Sequence, residues 1–312
     1  MSDVPDPLRD PGAARAGFDA KADVLDRCSQ ERAQPGVLER LLSDSGTRVL
    51  PLWQGKVPVA GDPICLEFRA PEAADAGRPA CFLGRSAGVA LVVVDVEAGD
   101  ESWRGARAVG PWLPRAELDV LLTAMAVTNW HRNHPRCSRC GEPTQPATGG
   151  WTRRCPADGS EHYPRTDPAV IMSVIDANDR LLLARNASWD LGRRSVLAGF
   201  VEPGERLEDA VAREVFEEVG VVVGDVQYVD NQPWPFPSSL MLGFTARAHS
   251  VELIADRTEI VEAEWYTRDD LVREVEAGRV LLPTRMSIAR RLVERWFGGP
   301  LATGEEPPVV GR

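Results

Sequence analysis

The stretch that most restricts how this chain can fold covers residues 199–221, "GFVEPGERLEDAVAREVFEEVGV". Gly199, Pro203 and Gly204 indicate a loop at its start, and the residues that follow predict a helix from Glu205. Apolar residues at i+4 spacing predict the helix face that packs on the core: they are Leu207, Val211, Val215 and Val219. The sequence therefore predicts a glycine-framed loop that leads into an amphipathic helix.

Another side of the same helix carries three carboxylates. Glu214, Glu217 and Glu218 fall at i, i+3 and i+4, so their side chains meet on one patch about a turn long. Like charges this close repel each other unless a cation joins them, and carboxylate oxygens suit Mg²⁺ or Mn²⁺, which also bind phosphate. A solvated acidic helix face is the alternative, but the preceding loop and the following Gly220 favour a metal site.

The composition of the whole chain sets broader limits. Its 312 residues are 43% hydrophobic and 27% charged, with a formal net charge of −11. These values are typical of a soluble globular protein with two or three domains, and the acidic charge argues against broad binding to nucleic acid. Because there is no secretion signal and no apolar run long enough to cross a bilayer, we expect a cytoplasmic protein without membrane contact.

Composition divides the chain into four predicted segments. Residues 1–128 predict a mixed α/β domain for scaffolding or dimerisation, with strands in "RVLPLWQG" and "AGVALVVVDV" and a helix in "RAELDVLLTAMAVTNWH". Residues 129–166 are short of aliphatic side chains, whereas residues 167–298 predict an α/β domain whose first two strands join at an Asn-Asp turn. Residues 299–312 are rich in Pro, Gly and Glu and predict a disordered tail.

Three of the six cysteines lie close together in the segment 129–166. Cys137, Cys140 and Cys155 occur where the chain has too few aliphatic residues to form its own core, so some other cross-link is required. In a chain without a secretion signal, this clustering indicates a metal site rather than a disulfide framework.

Residues 231–239, "NQPWPFPSS", form a segment that we call the proline-aromatic array. Proline fixes φ and removes a backbone donor, so three prolines exclude a helix interior or a central strand. They predict a stiff loop that presents aromatic rings. The alternative is a rigid surface connection whose aromatic side chains lie in the core.

The segment 199–221 resembles the Nudix box, Gly-x5-Glu-x7-Arg-Glu-U-x-Glu-Glu-x-Gly-U, in which U is aliphatic. Every fixed position is matched, by Gly199, Glu205, Arg213, Glu214, Val215, Glu217, Glu218, Gly220 and Val221. The resemblance implies an α/β/α sandwich that hydrolyses a nucleoside diphosphate linked to another group, with Mg²⁺ or Mn²⁺ on the three clustered carboxylates. It also implies that Arg213 is a structural partner of Glu205, and that Glu259 completes the metal site, with Glu262 as the alternative.

The proline-aromatic array resembles the pattern Ser-Gln-Pro-Trp-Pro-Phe-Pro-x-Ser of the NudC-type NADH pyrophosphatases, with Asn231 in place of the first Ser. The resemblance implies hydrolysis of NADH or NAD⁺ to AMP and nicotinamide mononucleotide. The substrate-binding residues that it implies are Tyr163, Phe200, Gln232, Trp234, Phe236 and Ser239. Because the rings of Tyr163 and Phe200 would stack on one substrate from different subunits, the resemblance also implies a homodimer.

The cysteine segment resembles the zinc ribbon of the same family, which uses two Cys-x2-Cys pairs to bind a structural zinc ion. This chain has Asp158 at the fourth position. Asp158, His134 and His162 are all acceptable fourth ligands, and a loop that has lost its metal is the remaining alternative.

Two other functions compete with NADH hydrolysis. Removal of 5′ NAD caps from RNA uses the same cleavage, and the formal charge of +3 over residues 131–165 could guide an RNA backbone. A Nudix module that senses a nucleotide without cleaving it is the non-enzymatic alternative. The intact box argues against such a sensor.

Overall fold

The computed structural model describes residues 25–302 and residue 308. Residues 1–24 and most of the predicted tail over 299–312 lie outside the described residues. No helix in the described part of the chain is both long enough and apolar enough to cross a membrane.

Residues 25–133 form a mixed α/β unit, as the sequence predicts, which we call the N-terminal unit. Its elements are α1 (Ser29–Arg32), α2 (Val37–Leu42), β1 (Arg48–Leu52), β2 (Lys56–Val57), β3 (Val59–Ala60), β4 (Cys65–Leu66), β5 (Ala80–Ser86), β6 (Val89–Asp95), β7 (Arg104–Gly105), α3 (Ala106–Val109) and α4 (Arg115–Asn133). The main sheet has the order β1-β6-β5, with β1 parallel to β6. Helix α4 covers one face of this sheet, because Leu121 and Ala124 share a core with Leu50 and Leu83.

The cysteine segment follows as a small antiparallel sheet. Its strands are β8 (Gln145–Ala147), β9 (Thr152–Arg154) and β10 (Glu161–His162), in the order β10-β9-β8. Trp151 fixes this sheet to the N-terminal unit, since its indole donates a hydrogen bond to the Phe82 carbonyl at 2.7 Å. The guanidinium of Arg32 lies 4.5 Å above the Trp151 ring. The segment thus rests on the N-terminal unit through a docked tryptophan.

The remaining elements build a layered α/β domain. They are β11 (Asp167–Ile175), β12 (Leu181–Asn186), β13 (Leu197–Phe200), α5 (Leu207–Val219), β14 (Val223–Trp234), β15 (Ser239–Ala248), β16 (Ile260–Tyr266), α6 (Arg268–Glu276) and α7 (Ile288–Phe297). The sheet has the order β14-β15-β11-β12-β16, and β13 also pairs with β11. Only the β11–β15 pair is parallel within this sheet.

The alternation of side chains along β11 explains the layers. Val170 and Met172 share a core with the apolar stripe of α5, whereas Ile171 and Ile175 share a second core with α6 and α7. Fully burying branched side chains of this kind contributes about 1.5–3 kcal/mol each. The predicted α/β/α sandwich is therefore confirmed.

The proline-aromatic array corrects one prediction. It is not a loop throughout, because Asn231–Trp234 are the last residues of β14 and pair with β15. Strand β14 lies at the edge of the sheet, where a proline without a backbone donor is tolerated. The turn that follows joins Trp234 to Ser239, which are partners across the two strands. The prediction that this run is excluded from a central strand is confirmed.

Candidate active site

The loop before α5 is held to that helix by an ion pair between Glu205 and Arg213. Helix α5 begins at Leu207 rather than at the expected Glu205, because the Glu205 side chain turns back to accept a hydrogen bond from the Glu202 backbone. Glu205 also accepts two hydrogen bonds from Arg213, at 2.7 and 2.9 Å. The Arg213 guanidinium lowers the pKa of Glu205 to about 2. The pair therefore holds the loop against the helix.

Arg213 connects this loop to the carboxylate patch. Its guanidinium donates to the Phe200 carbonyl at 2.9 Å, to Glu214 at 2.8 Å and to Glu217 at 3.0 Å. These contacts use the donors of the guanidinium for protein groups. The geometry is that of a structural partner that orients neighbouring carboxylates.

Glu214, Glu217 and Glu218 lie on one side of α5 but differ in burial. Glu217 is exposed, whereas Glu218 is only 7% exposed and its Oε2 has no hydrogen-bond partner among the described residues. Burial is the main cause that raises the pKa of Glu218 to about 8, and the charges of Glu214 and Glu259 raise it further. Burial also raises the pKa of Glu214. A buried, unpaired carboxylate oxygen beside other carboxylates fits a divalent cation.

Gly199 is required by the position of Glu214. A Cβ atom at Gly199 would lie 1.9 Å from Cδ of Glu214 and 2.1–2.2 Å from its two carboxylate oxygens. The Glu214 carboxylate therefore occupies the space that a side chain at position 199 would need.

A loop between β15 and β16 brings a further carboxylate toward α5. The backbone N–H of Asp256 donates to the Glu218 carbonyl at 3.1 Å, and the Asp256 carboxylate accepts from the Ile260 N–H at 2.8 Å. Glu259 lies within this turn, close enough for its charge to raise the pKa of Glu214 and Glu218. Sequence reasoning missed Asp256. Its signal in the sequence is an aspartate placed four residues before Ile260, the first residue of β16.

Glu262, the alternative to Glu259, has other partners. It accepts hydrogen bonds from Arg185 and Arg194, and these arginines lower its pKa. The structure thus brings Glu259 toward the carboxylate patch and pairs Glu262 with two arginines.

A cavity of about 240 Å³ adjoins the carboxylates between the sheet and the start of α7. Glu218 lines it together with Gln232 and Trp234 of the array. Sequence reasoning missed the other polar and aromatic residues of its wall, which are Asn186, Trp189, Arg193, Ser195, Thr284 and Ser287. Their nearest signal is the mixed polar and aromatic loop "NASWDLGRR" after β12. The cavity joins a carboxylate patch to an aromatic wall.

Gln232 is anchored as well as positioned at the cavity. Its side chain is 5% exposed, donates to the Met286 carbonyl at 2.6 Å and accepts from the Ile288 N–H at 2.7 Å. The Gln232 amide thereby fixes the N-terminal end of α7 against the array.

The other expected substrate residues lie outside this cavity wall. Phe236 packs against the core of the N-terminal unit, and Ser239 pairs with Trp234 at the start of β15. Tyr163 and Phe200 are 65% and 60% exposed, and no ring contact joins them within the described residues. Two large exposed rings are thus available to a ligand or to a second protein chain.

The cysteine segment brings four metal-binding side chains together: Cys137, Cys140, Cys155 and Asp158 offer ligand atoms that all lie within 4.8 Å of one another. The Cys140 and Cys155 sulfurs are 3.5 Å apart, and the Cys137 sulfur is 3.6 Å from Oδ2 of Asp158. Thiolates at about 2.3 Å from a tetrahedral zinc ion lie about 3.8 Å apart, so the cluster fits such an ion. Asp158 is the member that joins the cysteines, rather than His134 or His162.

Comparisons with known proteins agree with these features. A NUDIX domain model matches residues 165–285, and a model of the NADH pyrophosphatase zinc ribbon domain matches residues 132–163. The chain is 44% identical over 199 residues to the NAD-capped RNA hydrolase NudC of Mycobacterium bovis, covering 61% of this chain and 64% of the relative. It is 42% identical over 197 residues to the NAD-capped RNA hydrolase NUDT12 of Homo sapiens, covering 59% of this chain and 43% of the relative.

Among solved structures, a NUDIX hydrolase from Nitrosomonas europaea matches with a TM-score of 0.40 and 21% identity, over 53% of this chain and 94% of its own. The match to the relatives NudC and NUDT12 spans less than two thirds of their own length.

Proposed function

The chain belongs to the Nudix family and carries an NADH pyrophosphatase zinc ribbon, and from this premise we propose that it hydrolyses the diphosphate linkage of NADH or NAD⁺. The products are AMP and nicotinamide mononucleotide. The observation that carries the proposal is Oε2 of Glu218, a buried oxygen with no hydrogen-bond partner among the residues that the structure describes, which lies where the carboxylate patch meets the cavity. A diphosphate at this junction would have metal-binding carboxylates on one side and an aromatic wall on the other.

We assign a divalent cation, Mg²⁺ or Mn²⁺, to Glu214, Glu217, Glu218 and Glu259. When bound, the cation supplies neutralisation of the diphosphate charge and a more acidic water. The chain itself holds the carboxylates in place: Arg213 orients Glu214 and Glu217, and the Asp256 turn carries Glu259.

The dinucleotide would be oriented by the array. Trp234 offers a flat ring at the cavity wall, and the anchored Gln232 keeps that wall next to the start of α7. A wall that is rigid before binding loses little conformational entropy when a base stacks on it. The exposed rings of Tyr163 and Phe200 support the proposal that a second copy of the chain completes the site, as a homodimer.

A structural zinc ion at Cys137, Cys140, Cys155 and Asp158 is part of the same proposal. The cluster geometry supports it, and a carboxylate oxygen is an accepted zinc ligand. Metal analysis of protein washed with a weak chelator should find about one zinc per chain. Asp158→Cys should keep that zinc and Asp158→Ala should lose much of it. Zinc content well below one in the wild type, with the fold unaffected, would contradict the assignment.

Cleavage of NAD caps from RNA is the second candidate, because the relatives NudC and NUDT12 carry that activity in their names. The arginines of residues 131–165 give it limited support. Arg132 pairs with Asp95, Arg165 pairs with Asp167, and Arg153 is buried. The other three arginines of this segment, Arg136, Arg139 and Arg154, are exposed. The segment therefore offers three charges to a phosphate backbone, and the assay below ranks the two substrates.

The test compares NADH, NAD⁺, ADP-ribose and a short NAD-capped RNA with Mg²⁺ or Mn²⁺, with products identified and kcat/KM measured for each. AMP and reduced nicotinamide mononucleotide from NADH, with the capped RNA much slower, would support the proposal. Faster cleavage of the capped RNA would replace it with decapping. Failure to cleave any substrate would favour the non-catalytic sensor.

A further inference from the structure

The proline-aromatic array has two halves that face different parts of the molecule. Its strand half, Asn231–Trp234, belongs to the Nudix sheet and lines the cavity through Gln232 and Trp234. Its turn half leaves the sheet at Pro235 and reaches the N-terminal unit, where Phe236 packs against the core that contains α4. One segment thus joins the cavity wall to a separate unit of the fold.

Asn129 on α4 holds the turn half by its backbone. Its Nδ2 atom donates to the Pro235 carbonyl at 2.8 Å and lies 3.4 Å from the Pro237 carbonyl. Because prolines cannot donate, the turn has few backbone donors of its own to satisfy these carbonyls. A side-chain amide with two hydrogens suits both acceptors. Helix α4 is long and its face toward the core is buried, so Asn129 is a fixed donor.

Arg107 contacts one aromatic ring in each half of the array, Trp234 in the strand half and Phe236 in the turn half. Its guanidinium lies 4.5 Å from the centre of the Phe236 ring and 5.6 Å from that of Trp234. The two rings meet edge to face with their centres 5.0 Å apart. A cation over aromatic faces is attracted to their electron density, so Arg107 stabilises the present arrangement of the two rings.

From these contacts we infer that the N-terminal unit positions the substrate-binding wall, with Asn129 and Arg107 as positioning residues that act through Phe236 and Trp234. The inference rests on the proposed function in that Trp234 contacts the dinucleotide. Neither positioning residue is among the carboxylates or their partners, so their loss should weaken binding of the dinucleotide and leave the hydrolytic step intact.

The experiment compares Asn129→Ala, Asn129→Asp and Arg107→Ala in the full chain. We expect KM for NADH to rise about tenfold in the Asn129 variants and about threefold in Arg107→Ala, whose guanidinium is exposed, with kcat within about twofold of the wild type in each. Asn129→Asp keeps the shape but replaces the donor by an acceptor that repels both carbonyls, so it should be at least as damaging as Asn129→Ala. Arg107→Lys keeps a cation near the rings and should restore most of the affinity.

Two matched controls come from the same unit. Asn133→Ala removes an exposed amide one turn further along α4, and Arg115→Ala removes a guanidinium that pairs with Asp119 instead of a ring. Both should keep the wild-type KM. Hydrogen exchange of the Trp234, Phe236 and Ser238 amides in substrate-free protein gives a readout that does not depend on the proposed function. It should be faster in the Asn129 and Arg107 variants and unchanged in the controls.

The outcomes separate the two proposals. A wild-type chain that cleaves no dinucleotide defeats the proposed function, while the exchange rates still decide whether the N-terminal unit holds the array. Unchanged KM and unchanged exchange in the Asn129 and Arg107 variants would overturn the inference. So would an equal fall of kcat in these variants and in the controls, since that indicates general destabilisation.

Discussion

Glu218 combines a buried position with a carboxylate oxygen, Oε2, that has no hydrogen-bond partner among the described residues. Its pKa is raised to about 8, mainly by burial, so the ionised form costs folding free energy until a cation is bound. We expect Glu218→Gln to lower kcat/KM for NADH by at least about 100-fold. The metal-free variant should be as stable as the wild type or more so. Steady-state rates and Tm with and without Mn²⁺ measure both effects.

Glu208→Gln is the matched control, because Glu208 is an exposed acid on the first turn of the same helix. It should keep both activity and the rise of Tm on adding Mn²⁺. If Glu218→Gln also keeps the activity and the metal-induced rise of Tm, the metal site has been assigned to the wrong carboxylates.

Gly199 allows a test of the shape of the carboxylate patch rather than of its charge. Gly199→Ala would place a methyl group 1.9 Å from Cδ of Glu214, which must then move away from the carboxylate patch. We expect kcat to fall on the order of 100-fold while the circular dichroism spectrum stays that of the wild type. Gly299→Ala, where a Cβ meets nothing within 4 Å, should be silent. Full activity in Gly199→Ala would show that Glu214 need not occupy its present position.

At the scale of elements, a neutral histidine of α4, His131, links this helix to the cysteine segment. His131 lies with Nε2 2.7 Å from the Gly150 carbonyl and Nδ1 2.9 Å from Nη1 of Arg153. Both contacts are satisfied when the ring is neutral, with its proton on Nε2. Burial lowers the pKa of His131, and the charge of Arg153 lowers it further, against the hydrogen bond to Gly150.

The sign of the pH dependence follows from that lowered pKa. Below about pH 6.5 the unfolded histidine takes up a proton that the folded one resists, so stability is full above this pH and falls as the pH drops below it. The slope from one proton is at most about 1.4 kcal/mol per pH unit. Urea unfolding at pH 7.5 and 5.5 should show a smaller loss in His131→Gln than in the wild type. An equal loss of stability in both proteins would show that protonation of His131 does not cause it. The control His249→Gln changes an exposed histidine and should lose as much stability as the wild type.

The elements also show what the sequence could predict. The amphipathic stripe of α5 and the box carboxylates follow from local spacing, and the structure confirms the helix and its buried face. The sequence predicts a loop for the whole array, because it does not reveal that β14 lies at the sheet edge, where Pro233 is tolerated. Residues such as Trp189 and Arg193 line the cavity because of how the chain folds, and no spacing in the local sequence predicts that position.

At the scale of the whole molecule, the two most exposed aromatic rings of the expected substrate set require an explanation. Tyr163 and Phe200 are 65% and 60% exposed and do not contact one another within the described chain. Suppose that a homodimer stacks each substrate between Tyr163 of one protomer and Phe200 of its partner. Each single alanine variant then removes one of the two rings from both sites of its own dimer. Mixing the two variants then creates dimers in which one site has both rings.

Subunit complementation tests this arrangement. Tyr163→Ala and Phe200→Ala are each expected to be much less active than the wild type, and an equal mixture allowed to exchange subunits should regain about one quarter of wild-type activity. After random exchange, half of all dimers are heterodimers, and one of the two sites in each heterodimer has both rings. Light scattering measures the dimer, and the double variant Tyr163→Ala/Phe200→Ala mixed with itself is the negative control. If the exchanged mixture is no more active than the mean of its components, the two rings do not meet on one substrate across the dimer, and the exposed aromatic residues require another partner.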